Sequence, residues 1–140
     1  MQGGRVLVVD DEPGLRRLLS DLFSLEGYRV STAGDGAQAL ERLAAFRPDV
    51  VVLDLTMPVM SGLTFAEKCH RMDGYANLPI VAVTAMHDVD GVEPRLENLG
   101  VRKCLAKPFD VAELLAVVEQ LARPNRPHSS AVRERLPRLR

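Results

Sequence analysis

Apolar residues along this chain follow two rhythms. Unbroken runs at Arg5-Val6-Leu7-Val8-Val9, Val50-Val51-Val52-Leu53 and Pro79-Ile80-Val81-Ala82-Val83-Thr84 are rich in β-branched residues. They read as strands buried on both faces, the pattern of a parallel sheet. Between the runs, apolar residues recur at helical spacing. Pro13 suits a helix start, where its missing N–H costs nothing. Leu15, Leu18, Leu19, Leu22 and Phe23 follow on one face, and Gly27 supplies a stop. Tyr28 to Ala33 reads as a further strand. Asp35 or Gly36 opens a second helix, with Ala37, Leu40, Leu43 and Ala44 as its apolar face, closed before Pro48. Leu63 to Arg71 predicts a short helix and Asp73-Gly74 a turn. Gly91 and Pro94 interrupt the stretch from Ala85 to Gly100, leaving one short helix from about Pro94 to Leu99. Val101 to Ala106 is a fifth strand. The last helix has the best local signals. Asp110 can cap it, Glu113 completes a capping-box variant, and Phe109 and Leu114 hold the two positions of a hydrophobic staple. Leu114, Leu115, Val117, Val118 and Leu121 form its buried face.

Strands alternating with helices predict an α/β fold, a doubly wound five-stranded parallel sheet with helices on both faces. Right-handed crossovers leave few windings. The flavodoxin-like order 2-1-3-4-5 puts a crevice at the carboxyl ends of the first and third strands. The pattern places one domain over residues 1–122. It stops after Ala122, and Pro124, Pro127 and Pro137 among arginines and serines predict a disordered basic tail or linker over residues 123–140.

Composition narrows the class. Apolar content of 46% and charged content of 26% are those of an ordinary soluble protein. No apolar run approaches membrane-spanning length, so no membrane partner is expected. The opening Met1-Gln2-Gly3-Gly4-Arg5 lacks the apolar core of a signal peptide. With Cys69 and Cys104 at no metal-like spacing, this predicts reduced thiols in a cytoplasmic protein. The net charge of −1 hides an asymmetry, because the tail carries six arginines against Glu134 alone. Six arginines can touch phosphates non-specifically, but no nucleic-acid motif accompanies them.

The strand ends change the picture. The first runs into Asp10, Asp11 and Glu12, and the third ends in Asp54, so the winding brings Asp10, Asp11 and Asp54 together. Clustered carboxylates repel and raise one another's pKa, and a hard divalent cation relieves this. Mg²⁺ takes a few carboxylates, several waters and a phosphate oxygen, which suits an open site. The fourth strand ends at Thr84, a hydroxyl, and the fifth at Lys107, a cation. Carboxylates, hydroxyl and ammonium together make a phosphoryl site, with Asp54 as the nucleophile that forms an aspartyl-phosphate.

These residues carry a resemblance. An acidic pair after strand one, D-L-x-M-P-x-M-x-G at Asp54–Gly62, Thr84-Ala85 after strand four and Lys107-Pro108-Phe109 after strand five stand in order with strands between them. Over about residues 5–122 the chain resembles the response-regulator receiver domain of two-component signalling, chemotaxis regulators included. The resemblance implies that Asp54 accepts a phosphoryl group from a histidine kinase or phosphotransfer protein. It implies that Asp10, Asp11, Asp54 and the backbone carbonyl of Thr56 hold Mg²⁺, and that Thr84 and Lys107 bind the phosphoryl oxygens, Thr84 moving toward them as the switch. The Lys107–Pro108 bond is then cis. The output would be a downstream protein partner or a fused output domain, and a phosphorylation-dependent homodimer is one route to it. Such a protein is a signalling switch rather than an enzyme, catalysing only its own phosphotransfer and slow autodephosphorylation.

The chain departs from the family pattern at Cys104 and over Met86 to Pro94, where a Gly and a Pro predict a short or shifted fourth helix on the face receivers commonly use for partners. Cys104 stands three residues before Lys107, where receivers usually carry the aromatic switch residue. The neutral reading makes it a small core residue. Thr56 and Met86, each two residues past a site residue, carry no acid or amide to orient an attacking water, which is the reason to expect slow autodephosphorylation. His87 reads as an exposed loop histidine. Three rivals are weaker. A haloacid-dehalogenase-type phosphohydrolase would want a second Asp at the position of Thr56. A flavodoxin-like nucleotide binder would want a glycine-rich loop where Asp-Asp-Glu-Pro-Gly stands. A scaffold acting without phosphorylation would be expected to have lost one of Asp54, Lys107 or the acidic pair.

Overall fold

The computed structural model describes residues 4–57, 60–85 and 94–122. Five parallel strands, β1 (Arg5–Val9), β2 (Arg29–Ala33), β3 (Val50–Asp54), β4 (Ile80–Ala85) and β5 (Val101–Lys107), lie in the order β2-β1-β3-β4-β5. They alternate with α1 (Pro13–Leu25), α2 (Gly36–Phe46), α3 (Gly62–Arg71), α4 (Pro94–Glu97) and α5 (Val111–Leu121). This is the flavodoxin-like doubly wound sheet that the strand pattern predicts. Pro58, Met86, His87, Gly91 and the tail from Arg123, on which several expectations fall, lie outside the described residues.

Period-two alternation sorts the strands into two cores. Leu7, Val9, Val51, Leu53 and Ala82 face α2 and α3, joining Leu43, Phe65 and Cys69. Val6, Val8, Val52, Val81 and Val83 face the other way, against Leu19 and Phe23 of α1 and Leu114 and Val118 of α5. β1 and β3, central and covered on both sides, are buried almost throughout. β5 is an edge strand and exposes Arg102 and Lys103.

Helix ends fix where each strand begins. α1 closes in a Schellman motif: Tyr28 N–H donates to Phe23 O at 3.0 Å and Gly27 N–H to Ser24 O at 3.0 Å, with Gly27 at φ 97°. The Tyr28 ring meets Phe23 edge-on at 5.9 Å, so Tyr28 belongs to the cap and β2 starts at Arg29. Asp35 caps α2, accepting from Gln38 N–H. The buried face of α2 is Gly36, Ala39 and Leu43, whereas Ala37 and Ala44, expected on it, are exposed. Alanines that pack well on either face cannot by themselves fix the helix's rotation. Asp110 caps α5 through Ala112 N–H at 2.9 Å. Glu113 reaches Lys103 at 3.8 Å rather than completing a capping box.

Candidate functional site

Among the described residues, the buried polar or charged side chains are Asp10 and Asp54, each 2% exposed, and Thr84, 5% exposed. All three sit at the carboxyl end of the sheet, at the ends of β1, β3 and β4. Burying a carboxylate is costly unless something compensates it, so the concentration of all three at one point needs a reason.

The strand register brings them together. Leu53 pairs with Val9 on one side and Ala82 on the other, so Asp54 emerges beside the residue that follows β1. Thr84 lies one step beyond Val83, the partner of Asp54, and Ala85 pairs with Lys107 at the end of β5. Asp11 is exposed at the rim. One oxygen from each of Asp10, Asp11 and Asp54 lies within 4.8 Å of the others, close enough for one metal ion.

Each buried carboxylate is held by specific donors. Asp54 Oδ1 accepts from Thr56 N–H at 3.0 Å and from its Oγ1 at 3.3 Å. Asp54 Oδ2 faces Lys107 Nζ at 3.3 Å. Lys107 also lies 3.0 Å from Asp10 Oδ2 and 3.5 Å from Glu12 Oε1. Asp10 Oδ1 accepts from Glu12 N–H at 2.9 Å, and its main-chain oxygen from Arg16 Nη1 at 2.6 Å. The peptide bond after Lys107 is cis.

These contacts only partly offset one another. Burial pushes the Asp54 carboxyl above the usual carboxylate range. The Thr56 N–H pulls it down, Asp10 pushes it up and Lys107 pulls it down, leaving it raised. For Lys107 burial alone acts downward, but Asp10 and then Asp54 outweigh it, and its pKa is raised. The site thus holds more negative charge than one ammonium balances, and that deficit, with clustered hard oxygens, fits a divalent cation.

All the residues expected at the site converge there except Cys104, which lies deeper in the sheet. It pairs with Ala82 and packs, half-buried, against the core beneath α2 and α3. Neither cysteine is in a disulfide. Cys69 is buried, and burial pushes its thiol up to about 11, which makes it unreactive. Sequence reasoning passed over Glu12 and Arg16. Glu12 stands directly after the acidic pair, but nothing in a run of three acids says which of them reaches a lysine from β5. Arg16 looks like any solvated arginine on an amphipathic helix.

Comparison with known proteins agrees with this geometry. The family model of the response regulator receiver domain matches residues 6–119. Response regulator MprA of Mycobacterium tuberculosis is 41% identical over 130 residues, covering 91% of this chain and 54% of MprA. The chain thus spans about half the length of that relative. Sporulation initiation phosphotransferase F of Bacillus subtilis is 35% identical over 120 residues, covering 86% of this chain and 94% of the relative. Response regulator TrrA of Thermotoga maritima, solved in complex with Mg²⁺-BeF, superposes with a TM-score of 0.70 at 32% identity, covering 86% of this chain and 99% of that one.

Proposed function

Since the chain belongs to the response regulator receiver domain family, we propose that it is a phosphorylation switch in which Asp54 takes a phosphoryl group from a histidine kinase or a phosphotransfer protein. The observation that carries this reading is the gathering of Asp10, Asp54 and Thr84, the buried polar groups among the described residues, at one end of the sheet beside Lys107. A fold does not bury carboxylates at 2% exposure for stability alone, because an apolar replacement would serve that better.

In the proposed reaction an Asp54 oxygen attacks phosphorus. The new O–P bond forms as the donor's P–N bond breaks, and the electron pair leaves on the donor imidazole. Lys107, 3.3 Å from Asp54 Oδ2, then donates to a phosphoryl oxygen, and Thr84 donates its hydroxyl to another. Asp10, Asp11, Asp54 and the Thr56 backbone carbonyl would hold Mg²⁺, which supplies positive charge to the phosphoryl oxygens. Mg²⁺ appears with a fluoride complex of beryllium in the structure of TrrA, which supports this choice of metal. Thr56 offers no acid or amide to align a water, so autodephosphorylation is slow and the protein acts as a switch rather than an enzyme. The signal passes to a partner or an attached output domain, as with any charge-changing modification that biases a two-state element.

The test is intact mass after incubation with Mg²⁺ and acetyl phosphate, beside Asp54→Ala. One added phosphoryl group, lost without Mg²⁺ and in the variant, is the expected result. No addition to the wild type would favour a scaffold that signals without phosphate, with Cys104 in place of the usual aromatic as the first feature to revert.

A further inference from the structure

Glu12 has no role in the reading above, yet it touches the centre of the site. Its side chain is 64% exposed, and its Oε1 still lies 3.5 Å from Lys107 Nζ. An ammonium has three N–H donors. Among the described residues, the carboxylates around Lys107 are those of Asp10 at 3.0 Å, Asp54 at 3.3 Å and Glu12 at 3.5 Å. Two of these come from buried residues and one from the solvent side.

We propose that Glu12 is a positioning residue that gates phosphoryl loading, competing with the incoming phosphoryl oxygens for Lys107 and repelling anionic donors at the mouth of the site. The inference rests on the phosphoacceptor reading of Asp54. Asp10 and Asp54 are fixed by their own backbone donors, Glu12 N–H and Thr56 N–H, and cannot follow the lysine outward. Lys107, whose side chain is 25% exposed, stands between them and solvent. A phosphoryl group on Asp54 needs a donor from that ammonium, and the contact to Glu12, the longest and wettest of the three, is the one to give up. Charge points the same way. Among the described carboxylates at the mouth of the site, Glu12 is the one whose charge can be removed without touching a proposed metal ligand.

A purely structural role for the side chain is not supported. Glu12 occupies the N-cap of α1, but its side chain makes no capping hydrogen bond. The main chain does that work, with Glu12 O accepting from Arg16 N–H at 3.0 Å. Glu12→Gln therefore preserves the helix start and removes only the charge.

The experiment compares wild type and Glu12→Gln, with Mg²⁺ present, by the rate of labelling with acetyl phosphate and by the affinity for beryllofluoride read from amide chemical shifts. Both should improve roughly 3- to 10-fold in the variant, as for one partly screened charge, and the gain should shrink as salt is raised. Equal rates and affinities, or a loss in the variant, with the wild type labelled normally, would overturn the gate while leaving the phosphoacceptor reading intact. A wild type that neither labels nor binds beryllofluoride would remove both.

Discussion

Gly62 lies directly against the chain at Leu55: its N–H donates to Leu55 O at 3.1 Å, and a Cβ built on it would fall 2.7 Å from Leu55 Cα. The same Cβ would overlap the carbonyl of Asp54. The first turn of α3 is therefore seated on the backbone that carries the candidate phosphoacceptor. Ser61 caps that turn, its hydroxyl accepting from Thr64 N–H.

Gly62→Ala should cost about 1–3 kcal/mol of stability, as overpacking does when the obstacle is backbone rather than a flexible side chain. The displaced Asp54–Leu55 segment should also label more slowly with acetyl phosphate, at a temperature where the variant is still folded. Denaturant unfolding and the mass time course measure the two effects separately. A variant as stable as wild type would mean that the α3 start moves away freely.

Arg47 ends α2 with φ 54° and ψ 65°, the one left-handed residue other than glycine among the described residues, and Pro48 follows it. The left-handed region costs an L-residue about 1–2 kcal/mol, while glycine loses roughly 0.5–1 kcal/mol more conformational entropy on folding. Arg47→Gly should thus stabilise the domain by about 0.5–1 kcal/mol. The contact that holds this corner, Arg5 Nε to Arg47 O at 3.0 Å, uses the main chain and survives the change. A higher denaturation midpoint with an unchanged slope is the expected result.

How much of this could be read from the amino-acid order follows the range of each interaction. The strands were legible because Val6–Val9 and Val50–Leu53 are buried on both faces and leave an unbroken apolar signal. The convergence of Asp10, Asp11 and Asp54 was legible too, because strand order alone decides it. Gly62 reads in sequence as turn punctuation after Ser61, and its actual constraint, the approach to Leu55, needs the packing of α3. The bond from Arg16 to Asp10 O needs a rotamer and a helix rotation, neither of which a periodicity contains. Lys107 reaches Glu12 across the two strands that separate β5 from β1, and nothing local to either residue reports it.

Asp54 is where site and stability oppose each other. Its carboxyl is buried, and burial with the repulsion of Asp10 holds its pKa above the usual carboxylate range despite Thr56 and Lys107. A group whose folded pKa is raised contributes stability that is present below its unfolded pKa and lost as pH rises through the folded value. The metal-free protein therefore carries the cost of the ionised Asp54 at pH above that folded value. Asp54→Asn removes that charge and leaves Lys107 its contacts with Asp10 and Glu12, so no buried ion is orphaned. Without divalent cation at pH 7 the variant should melt roughly 4 °C higher, about 1 kcal/mol for a domain of this size. The advantage should shrink as pH falls through the raised folded pKa of Asp54 and the carboxyl becomes protonated. Added Mg²⁺ should stabilise the wild type far more than the variant, because binding to the folded state is linked to stability. A variant no more stable than wild type in the metal-free state would show that Lys107 and Thr56 already balance the charge, and with it would go the electrostatic case for a cation at this site.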